Sequence, residues 1–207
     1  IEAENTPYGF RYAAIRKPIV DPETNKYVRV TLFIAPIYAL FPGAKGMTNM
    51  QIFVPLDDEH TMHYFVKTSL EGPLDERTRE IHMKRAGTRM RIDIDAEYRK
   101  VRSAENNWMQ DREAMKRGES FSGIFGVTTE DIAMQESMGP IYDRTKEHLG
   151  TSDVAVIRMR RLMLDAVRRF RDNGDPPLGL AERVDYAALR AEERIVARDA
   201  VWQSVVA

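Results

Sequence analysis

The stretch TTEDIAMQESMGPIYDRTKEHLG, residues 128–150, sets two adjacent carboxylates, Glu130 and Asp131, at the head of a Met-rich segment that Gly139 and Pro140 terminate. Two chemistries suit such a pair. Thr128 followed three residues later by Asp131 can complete a helix cap, and acids in a first turn suit the helix dipole. A carboxylate beside apolar residues can instead ligate a metal. Asp131 is the acid nearest the apolar residues Ile132, Met134 and Met138, and pattern alone favours the cap. Of the histidines, His60-x-x-His63 has metal-like types, but on a strand the two side chains point to opposite faces. His82 falls in a charged helical stretch, and His148 precedes Leu149-Gly150, where a last-turn imidazole would be capping chemistry. No Ser-His-Asp order, phosphate-cradling glycine loop or nucleophile elbow is present. The two glycines of GIFGV, residues 123–127, permit a bend or a close backbone approach.

Composition narrows the field further. The 207 residues suffice for one substantial domain burying roughly 70% of its unfolded surface. Lys+Arg total 31 against 32 for Asp+Glu, so no global field favours nucleic acid. No apolar run has the length of a membrane span, and a soluble, cytoplasmic protein is the expectation. The absence of cysteine excludes disulfides, thiolate zinc sites, Cys-ligated iron–sulfur clusters and cysteine nucleophiles within this chain. The first residue is Ile1 and a strand-like pattern follows almost at once, which suggests a piece of something longer.

The elements that would position these groups divide along the chain. YGFRYAAIRKPIV, YVRVTLFIAPIYALF and MQIFVPLDDEHTMHYFVKTSL are rich in β-branched and aromatic residues, with DPETN (21–25) and PGAKG (42–46) as turns, and predict an antiparallel meander. Pro36 and Pro55 imply breaks or edge positions. GPLDERTREIHMKRAG reads as a short charged helix, and RMRIDIDAEYRKV mixes alternation with turn-forming acids. TSDVAVIRMRRLMLDAVRRFRDNG is the clearest helix, capped by Ser152 or Asp153 and closed by Asn173-Gly174, with Val156, Met159, Met163, Ala166/Val167 and Phe170 as its apolar stripe. Arg158, Arg160, Arg161, Arg168, Arg169 and Arg171 lie on its other side, as a solvated or subunit-contacting face. The tail YAALRAEERIVARDAVW predicts a peripheral helix. Strands first and one long helix late is an α+β order, an antiparallel β-sheet with a long C-terminal helix across it, the layout of a helix-grip (START-like) fold enclosing a cavity.

ENNWMQDREAMKRGESFSGIFGVTTEDIAMQESMGPIYDRTKEHLGTSD, continuing into VAVIRMRRLMLDAV, resembles the C-terminal catalytic domain of Rieske non-haem iron aromatic-ring-hydroxylating oxygenase α subunits, specifically the phthalate dioxygenase-like group. TPYGFRYAAIR and VPLDDEHTMHYFV are similar to the same group, so the resemblance covers most of residues 6–170. It implies a mononuclear Fe(II) held by two histidines and one carboxylate. The carboxylate position matches Asp131, with Glu130 facing a strand or solvent and the Met-rich surroundings excluding water. The two iron histidines of the family lie in a His-x4-His segment preceding the TPYGFRY stretch, and the Rieske domain with its [2Fe–2S] cluster lies further upstream. Residues 1–207 are therefore expected to be the catalytic domain, incomplete at its N-terminus, inactive alone and part of an active enzyme when full-length.

The resemblance further implies that electrons from NAD(P)H pass through a reductase to the cluster and then to the iron. Oxygen from O2 would enter an aromatic, carboxylated substrate, by dihydroxylation or by ether cleavage and demethylation. The assembly implied is a homotrimer or a multiple of one. A carboxylated substrate calls for an arginine fork. Arg11, alternating with Phe10 and Tyr12, is the candidate if it faces the concave side of the sheet. Asn106, Asn107 and Gln110 could supply polar contacts or be turn residues. The alternative function is a non-catalytic helix-grip module that binds a small apolar ligand, with Asp131 merely capping a helix.

Overall fold

The computed structural model describes residues 1–43, 46–180 and 183–205. Its strands are β1 (Glu2–Thr6), β2 (Gly9–Arg16), β3 (Asn25–Ile34), β4 (Tyr38–Pro42), β5 (Met47–Pro55), β6 (Thr61–Ser69) and β7 (Glu193–Ala197). Its α-helices are α1 (Glu76–Ala86), α2 (Arg112–Lys116), α3 (Val127–Glu136) and α4 (Val154–Asn173). The chain forms two compact units, one of Ile1–Leu56, Thr61–Gly72 and Lys146–Ala207, the other of Asp57–His60 and Pro73–Thr145. The expected α+β class is borne out, and among the described residues no helix is long and apolar enough to cross a membrane.

In the first unit the strands pair antiparallel in the order β1-β2-β3-β4-β5-β6. The run YVRVTLFIAPIYALF divides at the cis Ala35–Pro36 bond into β3 and β4, and Pro55 is the last residue of β5, as their missing N–H groups require. The DPETN turn closes with the Asn25 amide donating to the Asp21 carbonyl at 3.0 Å. Of the PGAKG turn, Ala44 and Lys45 lie outside the described residues. β4 pairs with Leu32–Ile34 of β3 only, which leaves the other half of that edge open. β7 takes it, pairing with Asn25–Arg29.

That pairing corrects the helical expectation for the tail. ERIVA is β-branched at its centre and meets an unfilled strand edge, so pairing with β3 prevails over helix propensity. Beyond it, Trp202 and Val205 are 4% and 1% exposed and enter the core beside Val28, Val30, Leu32 and Leu40. The charged tail therefore covers one face of the sheet.

α4 ends as expected at Gly174, in the left-handed region at φ 72°, whose N–H donates to the Phe170 carbonyl at 2.9 Å. At its start, the Asp153 carboxylate accepts from the Gly150 amide at 2.8 Å and makes no side-chain cap. The packed stripe differs from the expected one. Met159, Met163 and Ala166 are half-buried together with Ala155 and Leu162, whereas Val156, Val167 and Phe170 are exposed. Positions 155, 159, 162, 163 and 166 share one side at helical spacing, so the true stripe is rotated from the predicted one.

In the second unit, Asp75 caps α1 by accepting from the Thr78 amide at 2.8 Å, and the left-handed Gly87 closes it. The half-buried Lys100 donates from Nζ to the Gly87 carbonyl at 2.6 Å, a cation at a helix C-terminus. The Arg89 guanidinium grips Asp93 through two bonds of 2.7 and 3.1 Å, which closes the turn of RMRIDID.

Because Trp202 is a core residue, Trp202→Ala should cost about 3–5 kcal/mol of stability, whereas Val167→Ala, on the exposed side of α4, should cost under about 0.5 kcal/mol. Urea denaturation of the 207-residue chain measures both, and equal costs would return the tail to the periphery.

Candidate functional site

α3 begins at Gly126, not at Thr128. The Thr129 and Glu130 amides donate to the Gly126 carbonyl at 2.9 and 3.0 Å, so Thr128 and Asp131 both lie inside the helix and neither caps it. Gly126 sits at φ 96°, and a Cβ there would stand 2.5 Å from the Arg85 carbonyl oxygen at the end of α1. A Cβ on Gly87 would likewise come within 2.8 Å of Thr129 Oγ1. Close approach is thus the role of the second glycine in GIFGV, and it seats the N-terminus of α3 against the C-terminal end of α1.

The buried residues of α3 are Thr129 and Ala133, one turn apart. This corrects the expected surroundings of Asp131, because Met134 and Met138 are 68% and 50% exposed. Glu130 accepts a short hydrogen bond from the Ser122 hydroxyl, and Glu136 accepts from Trp108 Nε1 at 2.9 Å. Asp131 makes no hydrogen bond or ion pair among the described residues. Partial burial pushes its carboxyl pKa up, and the neighbouring charge of Glu130 adds to the rise. Asp131 is thus an exposed anionic side chain in mid-helix, without a hydrogen-bond or ion-pair partner among the described residues and open to a cation.

The remaining ligands of a metal are not gathered beside it, since among the described residues no three His, Cys, Asp or Glu side chains cluster with metal-binding geometry. Asp131 fits a metal site as a single donor. His60 is occupied by Asp57, whose carboxylate lies 2.9 Å from its Nδ1. His63 lies on β6 in the other unit, its ring stacked on Phe53 at 4.3 Å and beside Phe65 at 4.0 Å. Each ring of the pair thus has its own neighbours, a carboxylate for His60 and aromatic rings for His63. His148 lies two residues beyond the short 3-10 helix Arg144–Lys146 and inside no helix, so it is not the last-turn imidazole expected.

The sheet has two chemically distinct faces. Glu4, Arg11, Leu32, Leu40 and Met50 form one cross-strand row, on the face covered by Trp202. Asn5, Phe10, Phe33, Ala39, Gln51 and Phe65 form the neighbouring row on the opposite face. Arg158 of α4 donates to the Asn5 side chain at 2.6 Å, which places α4 on this second, aromatic face. Arg11 is consequently on the face that Trp202 covers, not on the aromatic face where α4 lies. Its guanidinium donates to Glu4 and lies 5.5 Å from the Trp202 ring centroid. Burial pushes the Glu4 carboxyl up, but hydrogen bonds from Arg11 and Gln203 outweigh it and leave the pKa below the ordinary value.

The arginine that shares parity with Phe10, Tyr12 and Ala14 is Arg16. Alternation with the aromatics picks out Arg11, whereas identity of parity with them picks out Arg16. Arg16 stands opposite Tyr27 in register, is exposed, and makes no hydrogen bond or ion pair among the described residues. By contrast Arg29, on the same face, lies 3.7 Å from Glu193. Asn106 is a turn residue: its Oδ1 accepts from the Ser103 amide at 3.0 Å and its Nδ2 donates to the Val101 carbonyl at 2.8 Å. Asn107 is exposed at φ 50°, and the Gln110 amide donates to the Ser122 carbonyl at 2.7 Å.

Residues 1–207 match the family model described as LigXa C-terminal domain like. The chain belongs to that family. It is 42% identical over 203 residues to the phthalate 4,5-dioxygenase oxygenase subunit of Pseudomonas putida, an alignment covering 98% of this chain and 45% of the relative. It is also 31% identical over 212 residues to the 3-chlorobenzoate-3,4-dioxygenase oxygenase subunit of Comamonas testosteroni, covering 97% of this chain and 48% of the relative. The chain thus spans about half the length of these curated relatives, and the family resemblance read from residues 105–167 is borne out.

The raised pKa of Asp131 has a consequence for the metal-free chain. A carboxyl whose folded pKa lies above its unfolded value stabilises the fold fully below the unfolded pKa, and that stability is lost as pH rises through the folded pKa. Asp131→Asn should therefore raise the unfolding midpoint at neutral pH, with the difference vanishing below the ordinary value of 3.8. Thermal unfolding in chelator from pH 3 to 8 measures it, and a destabilised variant at neutral pH would mean that the carboxylate has a hidden partner.

Proposed function

We propose that this chain is the catalytic part of an aromatic-ring oxygenase subunit in which Asp131 is the carboxylate ligand of a mononuclear Fe(II). The observation that carries the proposal is Asp131 itself, a mid-helix acid with no partner among the described residues, in a family whose cited members are named as dioxygenase oxygenase subunits. The capping role that would have explained the residue otherwise is absent, because α3 starts at Gly126. That leaves the non-catalytic helix-grip alternative without its account of Asp131.

In this reading the other two ligands are the histidines of the upstream His-x4-His segment, and electrons reach the site from NAD(P)H through a reductase and a [2Fe–2S] cluster. When bound, the iron supplies the reductive activation of O2. The contribution of this chain is to hold one anionic oxygen on a helix fixed at both ends, with Glu130 kept off the metal by its bond to Ser122. Phthalate and 3-chlorobenzoate, the compounds for which the two relatives are named, are both aromatic carboxylates. An aromatic carboxylate is accordingly the proposed substrate. Arg16, on the aromatic side of the sheet, replaces Arg11 as the group that binds its carboxylate, through a planar two-pronged contact.

In the full-length protein, Asp131→Ala should deplete mononuclear iron and abolish turnover while the visible spectrum of the Rieske cluster stays intact. Iron analysis and oxygen uptake test this, and iron at wild-type stoichiometry in the variant would remove Asp131 from the metal. The same preparation should scatter light as a trimer or a multiple of one.

Arg16→Met should raise the apparent dissociation constant for the carboxylate substrate about ten-fold to a hundred-fold, the worth of a charge-assisted contact of roughly 1.5–3 kcal/mol. Arg11→Met should leave it unchanged. The reverse pattern would put the substrate on the other face of the sheet.

A further inference from the structure

Asn107, Trp108 and Met109 occupy the left-handed region in succession, at φ 50°, 51° and 51°. Each crowds its Cβ against the following carbonyl, and a run of three non-glycine residues persists only where the surroundings over-determine it. The surroundings here are specific. Arg102 Nη1 donates to the carbonyls of Trp108 and Met109 at 2.6 and 3.1 Å. The Trp108 amide donates to the Ser103 carbonyl at 2.8 Å, and the Asn106 side chain bonds the backbone of both Ser103 and Val101. These contacts fix the turn and therefore the direction of the Trp108 side chain, whose indole N–H reaches Glu136, the last residue of α3.

We infer that Trp108 is a positioning residue for Asp131, a strained turn locking the C-terminal end of α3 while Gly126 fixes the N-terminal end. The inference rests on the assignment of Asp131 as iron ligand. A helix pinned at one end only can pivot, and a pivot moves the mid-helix carboxylate relative to ligands contributed from elsewhere. With both ends held, Asp131 is presented in one place. The left-handed run is what the fold tolerates in order to aim the indole, since a relaxed turn would point residue 108 elsewhere. Trp108 itself would touch neither metal nor substrate.

The test uses the full-length protein with its iron. Trp108→Phe keeps the ring and removes the donor, and Glu136→Leu removes the acceptor at an exposed position where folding is not at risk. Both should lose mononuclear iron to a chelator about five-fold faster than wild type, the consequence of losing one hydrogen bond. Both should also give a broadened, heterogeneous EPR signal from the ferrous site after nitric oxide addition, with the Rieske signal unchanged. Glu136→Gln, which keeps an acceptor oxygen, should restore a single sharp signal. Wild-type iron loss and a sharp signal in Glu136→Leu would overturn the inference even if Trp108→Phe failed to fold. If Asp131→Ala kept its iron, the ligand assignment would fail, a result distinguishable from failure of the tether.

Discussion

The register between β2 and β3 is the constraint from which the two faces of the sheet follow. Val28, Val30 and Leu32 on β3 are at most 1% exposed, and Ala13 beside them on β2 is fully buried. Burying each β3 side chain is worth about 1.5–3 kcal/mol, so a one-residue slip, which turns all three outward, costs on the order of 5–9 kcal/mol. No surface ion pair competes with that, since the Arg11–Glu4 contact contributes about 1 kcal/mol at most. The apolar triplet therefore decides the side on which each arginine of YGFRYAAIR falls. Arg11 becomes a polar group at the rim of the core, neutralised by Glu4 and stacked over Trp202, and Arg16 falls on the side where α4 lies.

In the other unit the governing feature is a pair of glycines. α3 approaches α1 closely enough that a Cβ at Gly126 or Gly87 would meet an oxygen atom within 3 Å. Packing that tight leaves little room for adjustment, because interiors are close-packed and a fraction of an ångström is felt. Lys100 neutralises the carbonyls at the end of α1 beside this contact, and burial holds its own pKa below the ordinary value while Asp93 and Glu136 oppose the shift. The helix that carries the candidate ligand is thus seated by backbone geometry before any metal is considered.

Much of the sheet was legible because its signals are local. The β-branched runs, Pro36, Pro55 and the DPETN turn each carry a backbone consequence that no tertiary contact overrides. The tail was not legible, since ERIVA becomes a strand only because β4 leaves half of one β3 edge open, a fact of topology rather than of composition. The stripe of α4 was partly legible. Met159, Met163 and Ala166 belong to it, but one turn of alternatives such as Ala166/Val167 leaves its centre undetermined within tens of degrees. At the candidate site, residue types singled out Asp131, and family resemblance gave it a role. The start of α3 was misplaced because the capping signal of Thr128 is a side-chain preference, whereas Gly126 starts the helix through a close backbone approach that sequence does not display. Nor does any spacing rule connect Trp108 to Glu136, 28 residues apart.

The acid pair inside α3 is resolved by division of labour. Glu130 and Asp131 are neighbours in sequence but point about 100° apart on the helix, so one partner cannot serve both. The protein supplies a partner for one only. Ser122, held in the loop that also contains Gly123, takes Glu130, and the short reach of a serine keeps that carboxylate against the loop. Asp131, one methylene shorter than Glu130, has less freedom to search for a partner and loses less entropy when a cation fixes it. Had the order been reversed, the longer, more flexible acid would face outward and the rigid one would be tied down. The observed order leaves the stiffer side chain as the one without a partner, so the oxygen it presents to solvent is the less mobile of the two.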